Sequence, residues 1–264
     1  MDLDHPRPLI VCGFGRSGTR MCANLLANAG GVELQGEMPR QLAQETLDWL
    51  AAVRAQASGD RPDRIYRLAR SVFRDITPAR PMERPGAVWF GHKTPHHERH
   101  FDRYEAIFDH PDGLPVYVYC LRNPVHVWRS YRMMPWSGFD RASAFLKSWL
   151  RSVAAWERMR QAAPDRVLSF NLDAMIRAPD RGAWLEDALF TPLGLSAETF
   201  RKPMETIGNT NSAEAKLGVA PSPPPPGDVR VIARNRLAMA VVRTHFPWIE
   251  DEMRAASGAG RFRA

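Results

Sequence analysis

The sequence predicts an α/β fold: a parallel β-sheet flanked by helices on both faces, three layers in all. Three observations predict it. Strand-length apolar runs end abruptly in glycine or arginine, a stretch of helical periodicity follows most of them, and strands alternate with helices along the chain rather than clustering.

Residues 8–13 (Pro-Leu-Ile-Val-Cys-Gly) form a continuous apolar run closed by glycine, the pattern of a strand buried on both faces. A glycine-rich turn follows. From Thr19 to Ala29 the apolar residues Met21, Leu25 and Leu26 fall at helical spacing. Residues 40–58 and 62–75 read as two more helices, parted by Gly59-Asp60-Arg61-Pro62, so residues 38–86 form a helical insertion. Ala87 to Phe90 is a short strand, and an amphipathic helix is expected over 97–108. The strongest internal strand is Val116 to Leu121; Asn123 is a good N-cap for the next helix and Pro124 suits its first position. A long helix over 140–162 sets Phe145, Trp149, Val153, Trp156 and Met159 on one stripe, which reads as core. Val167 to Asn171 is the next strand. Helical segments, an irregular stretch at 205–219, a proline-rich turn (Pro221 to Gly227) and a helix from about 228 complete the chain. With no internal repeat and no linker, residues 1–264 are expected to form one domain.

Composition narrows the function. Of 264 residues, 44% are hydrophobic and 25% charged, which excludes a disordered chain. No apolar run is long enough to span a membrane. The acidic start Met1-Asp2-Leu3-Asp4-His5 is unlike a signal peptide, and Cys12, Cys22 and Cys120 each lie in apolar settings, so a cytoplasmic protein with reduced thiols is expected. The net charge of +7 calls for an anionic partner. The arginines are spread along the chain without a basic run, and a basic cleft for a small polyanion explains the charge as well as nucleic acid does, so charge alone does not decide; no nucleic-acid partner is expected.

The densest signal is Gly13-Phe14-Gly15-Arg16-Ser17-Gly18-Thr19-Arg20, between a buried strand and a helix. There, backbone N–H groups wrap an anion and the helix N-terminus adds partial positive charge. This makes the sheet one of P-loop type. In the triphosphate version of such a loop a lysine and a magnesium-binding hydroxyl follow the last glycine. Here Thr19 and Arg20 stand in those places, so a donor whose chemistry needs no magnesium suits the loop better than a small kinase or NTPase does. A non-catalytic nucleotide-binding protein is the other alternative.

Gly15-Arg16-Ser17-Gly18-Thr19 resembles the 5′-phosphosulfate loop of the sulfotransferases that use 3′-phosphoadenosine-5′-phosphosulfate (PAPS), with glycine in place of the usual proline. A second match supports it. The family carries an arginine at a strand end and a serine eight residues later that together hold the 3′-phosphate, and Arg122 and Ser130 have that spacing directly after the strongest internal strand. The resemblance implies a loop from Gly15 through Arg16, Ser17, Gly18 and Thr19 to Arg20 that binds PAPS, with Arg16 stabilising charge on the leaving oxygen, and release of adenosine 3′,5′-bisphosphate. It further implies a late loop closing on the nucleotide, for which Ser212 and Lys216 are the candidates.

Sulfuryl transfer needs cations near the transferred group and a base for the acceptor hydroxyl. Lys93, in Gly91-His92-Lys93-Thr94-Pro95, is similar to a Lys-x-Pro element of the protein-tyrosine and carbohydrate branches whose lysine contacts the sulfuryl group; its bland reading is a solvated surface lysine. Glu37, 21 residues after Arg16, looks like the base of the same branches, while His92, His96, His97 and His100 supply rival bases. A metal site is not expected: Pro95 separates His92 from His96, and His97-Glu98-Arg99-His100 is one residue short of zincin spacing, so these read otherwise as exposed helix histidines. The acceptor, whether small molecule, sugar or peptide tyrosine, is expected to meet the helices at 40–80 and the loops near 135–140 and 220–227.

Overall fold

A computed structural model of the chain describes residues 6–56, 62–76, 86–109, 113–196 and 222–250, together with residues 198, 218 and 253. Five parallel strands make one sheet: β1 (Arg7–Gly13), β2 (Val32–Gln35), β3 (Trp89–Lys93), β4 (Val116–Leu121) and β5 (Val167–Asn171), in the order β2-β3-β1-β4-β5. The helices are α1 (Thr19–Asn28), α2 (Arg40–Gln56), α3 (Pro62–Ile76), α4 (Phe101–Ile107), α5 (Pro124–Arg132), α6 (Ala142–Ala162), α7 (Leu172–Arg177), α8 (Arg181–Leu185), α9 (Pro226–Ala233) and α10 (Arg236–His245). None of the described helices is long and apolar enough to cross a membrane.

The pleat explains the three layers. Successive side chains of a strand point to opposite faces. Leu9 and Val11 of β1, with Val116, Val118 and Cys120 of β4, therefore pack on one side against Cys22, Leu25 and Leu26 of α1 and Leu172 and Met175 of α7. Ile10 and Cys12, with Tyr117, Tyr119 and Leu121, pack on the other side with residues of α2 to α6. Val229 and Ile232 of α9 and Ala238 and Val242 of α10 join that second core. The predicted stripe on α6 is buried as expected, with Tyr119 stacked on Trp156 at 5.1 Å between ring centroids.

Two strands differ from expectation. The strand predicted at 87–90 lies at Trp89–Lys93, because Gly91, His92 and Lys93 continue the pairing with Leu9, Ile10 and Val11. That run reads as polar, yet His92 is fully buried: Thr94 and Tyr104 satisfy its ring nitrogens at 2.9 and 2.7 Å. The edge strand β2 was not predicted at all, since Val32-Glu33-Leu34-Gln35 is short and half polar. Its Glu33 is buried because Arg70 of α3 reaches across to pair with it. The segment expected to be a helix over 97–108 is a 3₁₀ turn (His97–His100) followed by α4.

Candidate active site

Ligands of open α/β sheets bind beyond the C-terminal strand ends. Three adjacent strands, β3, β1 and β4, bring their ends together here. The loop after β1 begins at Gly13, whose φ of +129° is open to glycine; a Cβ there would sit 2.5 Å from the carbonyl oxygen of Cys120. Both backbone groups of Gly13 are held from the segment after β3. His96 donates its N–H to Gly13 O at 2.8 Å, and Gly13 donates its own to Glu98 Oε2 at 3.2 Å.

Arg16 has a left-handed backbone, φ +66°, a conformation that costs a residue with a side chain about 1–2 kcal/mol. Two contacts fix it there. Arg16 Nε donates to Ser130 Oγ at 2.9 Å, and Arg16 O accepts from Arg122 Nη1 at 3.2 Å. The loop and the Arg122/Ser130 pair, more than a hundred residues apart in sequence, are thus one cluster. Burial and the neighbouring charge of Arg122 hold the Arg16 guanidinium below its usual range. Ser17 and Thr19 are buried within the turn, Gly18 takes φ +95° to start α1, and Arg20 is exposed on the first turn of α1.

Arg122 is anchored from behind by Asp173 of α7, whose Oδ1 lies 3.6 Å from Arg122 Nε. The same carboxylate accepts the backbone N–H of Asn123 at 2.7 Å and the Nδ1–H of His126 at 2.8 Å. Burial alone would raise the pKa of Asp173, but the hydrogen bond and charge of His126, the charge of Arg122 and the Asn123 N–H outweigh it, and the group titrates below its usual range. For Arg122, burial lowers the pKa and Asp173 opposes that shift in part.

Lys93 ends β3, in register with Val11 of β1, and is only 4% exposed. It pairs with Glu37, whose side chain is 52% exposed. A solvated surface lysine is therefore not what stands at position 93. Burial lowers the Lys93 pKa, and Glu37 acts against that shift. The Glu37 segment is tied to the same strand end, since Met38 N–H donates to Thr94 Oγ1 at 3.0 Å.

The histidines are not exposed helix residues. His92 and His97 are buried, both bonded to the Tyr104 hydroxyl at 2.7 Å. Burial, with the charges of His100 and Lys93, pushes the His92 pKa down to about 3, so its ring is neutral. Among the described residues no group of three or more His, Cys, Asp and Glu side chains is arranged to hold a metal ion. Ser212 and Lys216 lie outside the described residues.

Three residues that sequence reasoning missed belong to this edge: Glu98 under the loop, Asp173 behind Arg122, and His126. Only His126 carried a usable signal, four residues after Arg122 and four before Ser130. Taken together, Arg16, Arg122 and Lys93 place three cationic side chains at adjacent strand ends, with one half-exposed carboxylate, Glu37, beside Lys93.

The model of the family described as "Sulfotransferase family" matches residues 8–183. No curated protein matches the chain. Among solved structures, similarity is found to mouse sulfotransferase SULT7A1 complexed with PAP, at 16% identity and a TM-score of 0.43, over 81% of this chain. The match spans 66% of the mouse chain. The sulfotransferase domain of the Synechococcus PCC 7002 olefin synthase is similar at 15% identity and a TM-score of 0.49, over 92% of this chain and 98% of that one.

Proposed function

Because the chain belongs to the sulfotransferase family, we propose that it moves a sulfuryl group from PAPS to the hydroxyl of an acceptor, releasing adenosine 3′,5′-bisphosphate. The observation that carries the reading is the junction of Arg16 with Ser130 and Arg122: a loop suited to a 5′-phosphosulfate and a pair suited to a 3′-phosphate are hydrogen-bonded to each other. Two separate anions on one ligand need two neighbouring cationic groups, and the adjacency of Arg16 and Arg122 supports this reading.

In this reading the loop amides from Gly15 to Arg20 and the Arg16 side chain hold the 5′-phosphosulfate and stabilise charge on the departing phosphate oxygen. Arg122 grips the 3′-phosphate with its guanidinium and Ser130 donates its hydroxyl. Lys93 faces the sulfuryl oxygens. Glu37 takes the acceptor proton, a role open to an ionised carboxylate at the rim. Ser212 and Lys216 are assigned to closing over the nucleotide. The acceptor, a small molecule, a sugar or a peptide tyrosine, enters past Glu37. We read the chain as one domain, since α9 and α10 share the core of the sheet. We place it in the cytoplasm, where its three free, buried thiols stay reduced.

Thermal unfolding with adenosine 3′,5′-bisphosphate, set against ATP with magnesium, tests the donor. A ligand at a hundred times its Kd stabilises by about 2.7 kcal/mol, so the bisphosphate should raise the unfolding temperature and ATP should not. Transfer from labelled PAPS to pooled phenols, sugars and tyrosine peptides should proceed in EDTA. Stabilisation by ATP and magnesium alone would replace this reading with a kinase.

A further inference from the structure

The carboxylate of Asp173 joins two side chains at once. Its Oδ1 receives His126 Nδ1 at 2.8 Å and lies 3.6 Å from Arg122 Nε, so the imidazole and the guanidinium are neighbours across a single oxygen atom. Asp173 is almost fully buried while the His126 side chain is 33% exposed, so the ring reaches outward from a fixed base. His126 and Ser130 lie one turn apart on the same face of α5, with Arg122 just ahead of its Asn123 N-cap. The face that presents the proposed 3′-phosphate ligands therefore presents a histidine between them.

The chemistry of that ring is constrained. An ionised carboxylate only accepts, so Nδ1 carries the hydrogen. In the neutral ring Nε2 then has no hydrogen and turns a lone pair outward; it becomes a donor only when the ring is protonated. Among the described residues Nε2 makes no hydrogen bond. A phosphate dianion offers acceptors alone, so it accepts from this nitrogen only in the imidazolium form. Asp173 on α7 bonds the ring and Arg122 after β4 lies against the same oxygen, while Arg129, on the next turn of α5, adds a charge that acts on Arg122. An arriving phosphate adds negative charge to this set and favours proton uptake.

We infer that His126 is a protonation-dependent ligand of the donor's 3′-phosphate, held by Asp173 through Nδ1 and donating through Nε2 beside Arg122 and Ser130. The inference rests on the PAPS reading above and gives it a pH dependence. The donor should bind with uptake of a proton at His126, and the contribution of His126 to its affinity should be larger on the acid side of neutrality.

The test compares the parent with His126→Asn by calorimetry between pH 5.5 and 8.5, using adenosine 3′,5′-bisphosphate and adenosine 5′-monophosphate as probes. Asparagine can keep the bond to Asp173 and has no counterpart of Nε2. The ligand's own phosphate titrates in this range and cancels in the parent-to-variant ratio. For the bisphosphate, that ratio should fall from about tenfold tighter in the parent at pH 5.5, the size of one charge-assisted hydrogen bond, to near unity at pH 8.5. For the monophosphate it should stay near unity throughout. Titrations of parent and variant at pH 7.5 in buffers of differing ionisation enthalpy should report more proton uptake by the parent than by the variant with the bisphosphate, and no such difference with the monophosphate. Parallel pH curves, or equal losses for both ligands, would overturn the role of His126 while leaving the donor reading intact. If neither protein prefers the bisphosphate over the monophosphate, both fall.

Discussion

Lys93 and Glu37 form an unequal pair: the ammonium is buried at the end of β3, and the carboxylate opposite it is half exposed at the rim. Burial depresses the lysine pKa and the negative charge of Glu37 works against that shift. Glu37→Gln therefore removes two things at once, the base proposed for the acceptor hydroxyl and the counter-charge of Lys93. Turnover should fall by about 10²–10⁴ while adenosine 3′,5′-bisphosphate affinity stays within a few-fold. With its partner neutral, Lys93 should lose its proton at lower pH, so the alkaline limb of the residual activity should move toward acid. Turnover near that of the parent would end the assignment of Glu37 as base. His92 would be a poor successor, being fully buried, neutral and hydrogen-bonded at both ring nitrogens.

Arg122 ties the two halves of the Arg16/Ser130 cluster together, since it bonds to the Arg16 carbonyl and lies against Asp173. Arg122→Ala should weaken bisphosphate binding by about 1.5–3 kcal/mol, the value of a hydrogen bond to a charged group, and Ser130→Ala by less. Arg122→Lys should recover little, because a single ammonium cannot reproduce a guanidinium that spans two partners. Titration calorimetry with the bisphosphate and adenosine 5′-monophosphate separates the outcomes. Equal weakening of both ligands would mean that Arg122 acts on the loop through Arg16 and not on the 3′-phosphate.

The parts of this site that were legible in the sequence are those whose chemistry repeats at fixed spacing. A buried strand, a glycine turn and a helix start are local, and so is an arginine at a strand end with a serine two turns along. The parts that were not legible depend on tertiary partners. β2 carries a buried Glu33 that Arg70 pairs with across the fold, and the end of β3 carries a buried His92 whose ring nitrogens meet Thr94 and Tyr104. Asp173 stands 51 positions after Arg122, on α7, with nothing near it in sequence to tie the two. Glu98 lay inside the stretch where the four histidines drew attention as rival bases and metal ligands, and it holds the loop instead.

Glu98 gives the clearest pH signature for stability. It is buried, accepts from Gly13 N–H at 3.2 Å and from Ser152 Oγ at 2.6 Å, and burial raises its pKa above the ordinary 4.5 despite these bonds. A carboxyl whose folded pKa is raised favours the fold most below its ordinary value, and that contribution is lost as pH rises through the raised one. Glu98→Gln should remove this loss. The amide oxygen can take the Gly13 N–H, and the amide NH₂ can donate to Ser152 if that hydroxyl turns toward Tyr119, which lies 2.9 Å away. The variant should therefore gain on the parent in urea unfolding as pH rises from 5 to 8. Glu98→Ala leaves the Gly13 N–H buried without its acceptor and should cost about 1–3 kcal/mol. Parallel pH curves for parent and Glu98→Gln would show that Glu98 titrates alike in the folded and unfolded chain.

Gly15 stands where the resembling loops carry proline, and Tyr131 occupies the space a side chain there would need. A Cβ on Gly15 would lie 2.1 Å from the Tyr131 hydroxyl oxygen and 3.2 Å from Cζ. The ring cannot easily retreat, because Phe139, Phe14 and Trp136 pack around it at centroid distances of 5.4, 5.6 and 5.9 Å. Gly15→Ala should therefore push the phosphate loop rather than the tyrosine, cost about 1–3 kcal/mol as overpacking does, and weaken bisphosphate binding. Removing the oxygen with Tyr131→Phe leaves Cζ as the nearest atom, a tight contact that a few tenths of an ångström relieve. The double variant should then be more stable, and bind the bisphosphate more tightly, than the sum of the single changes predicts. A coupling of about 1 kcal/mol or more in a double-mutant cycle on unfolding is the expected reading. Additive losses would mean that the loop yields without touching Tyr131, and that the glycine is there for some reason other than the hydroxyl facing it.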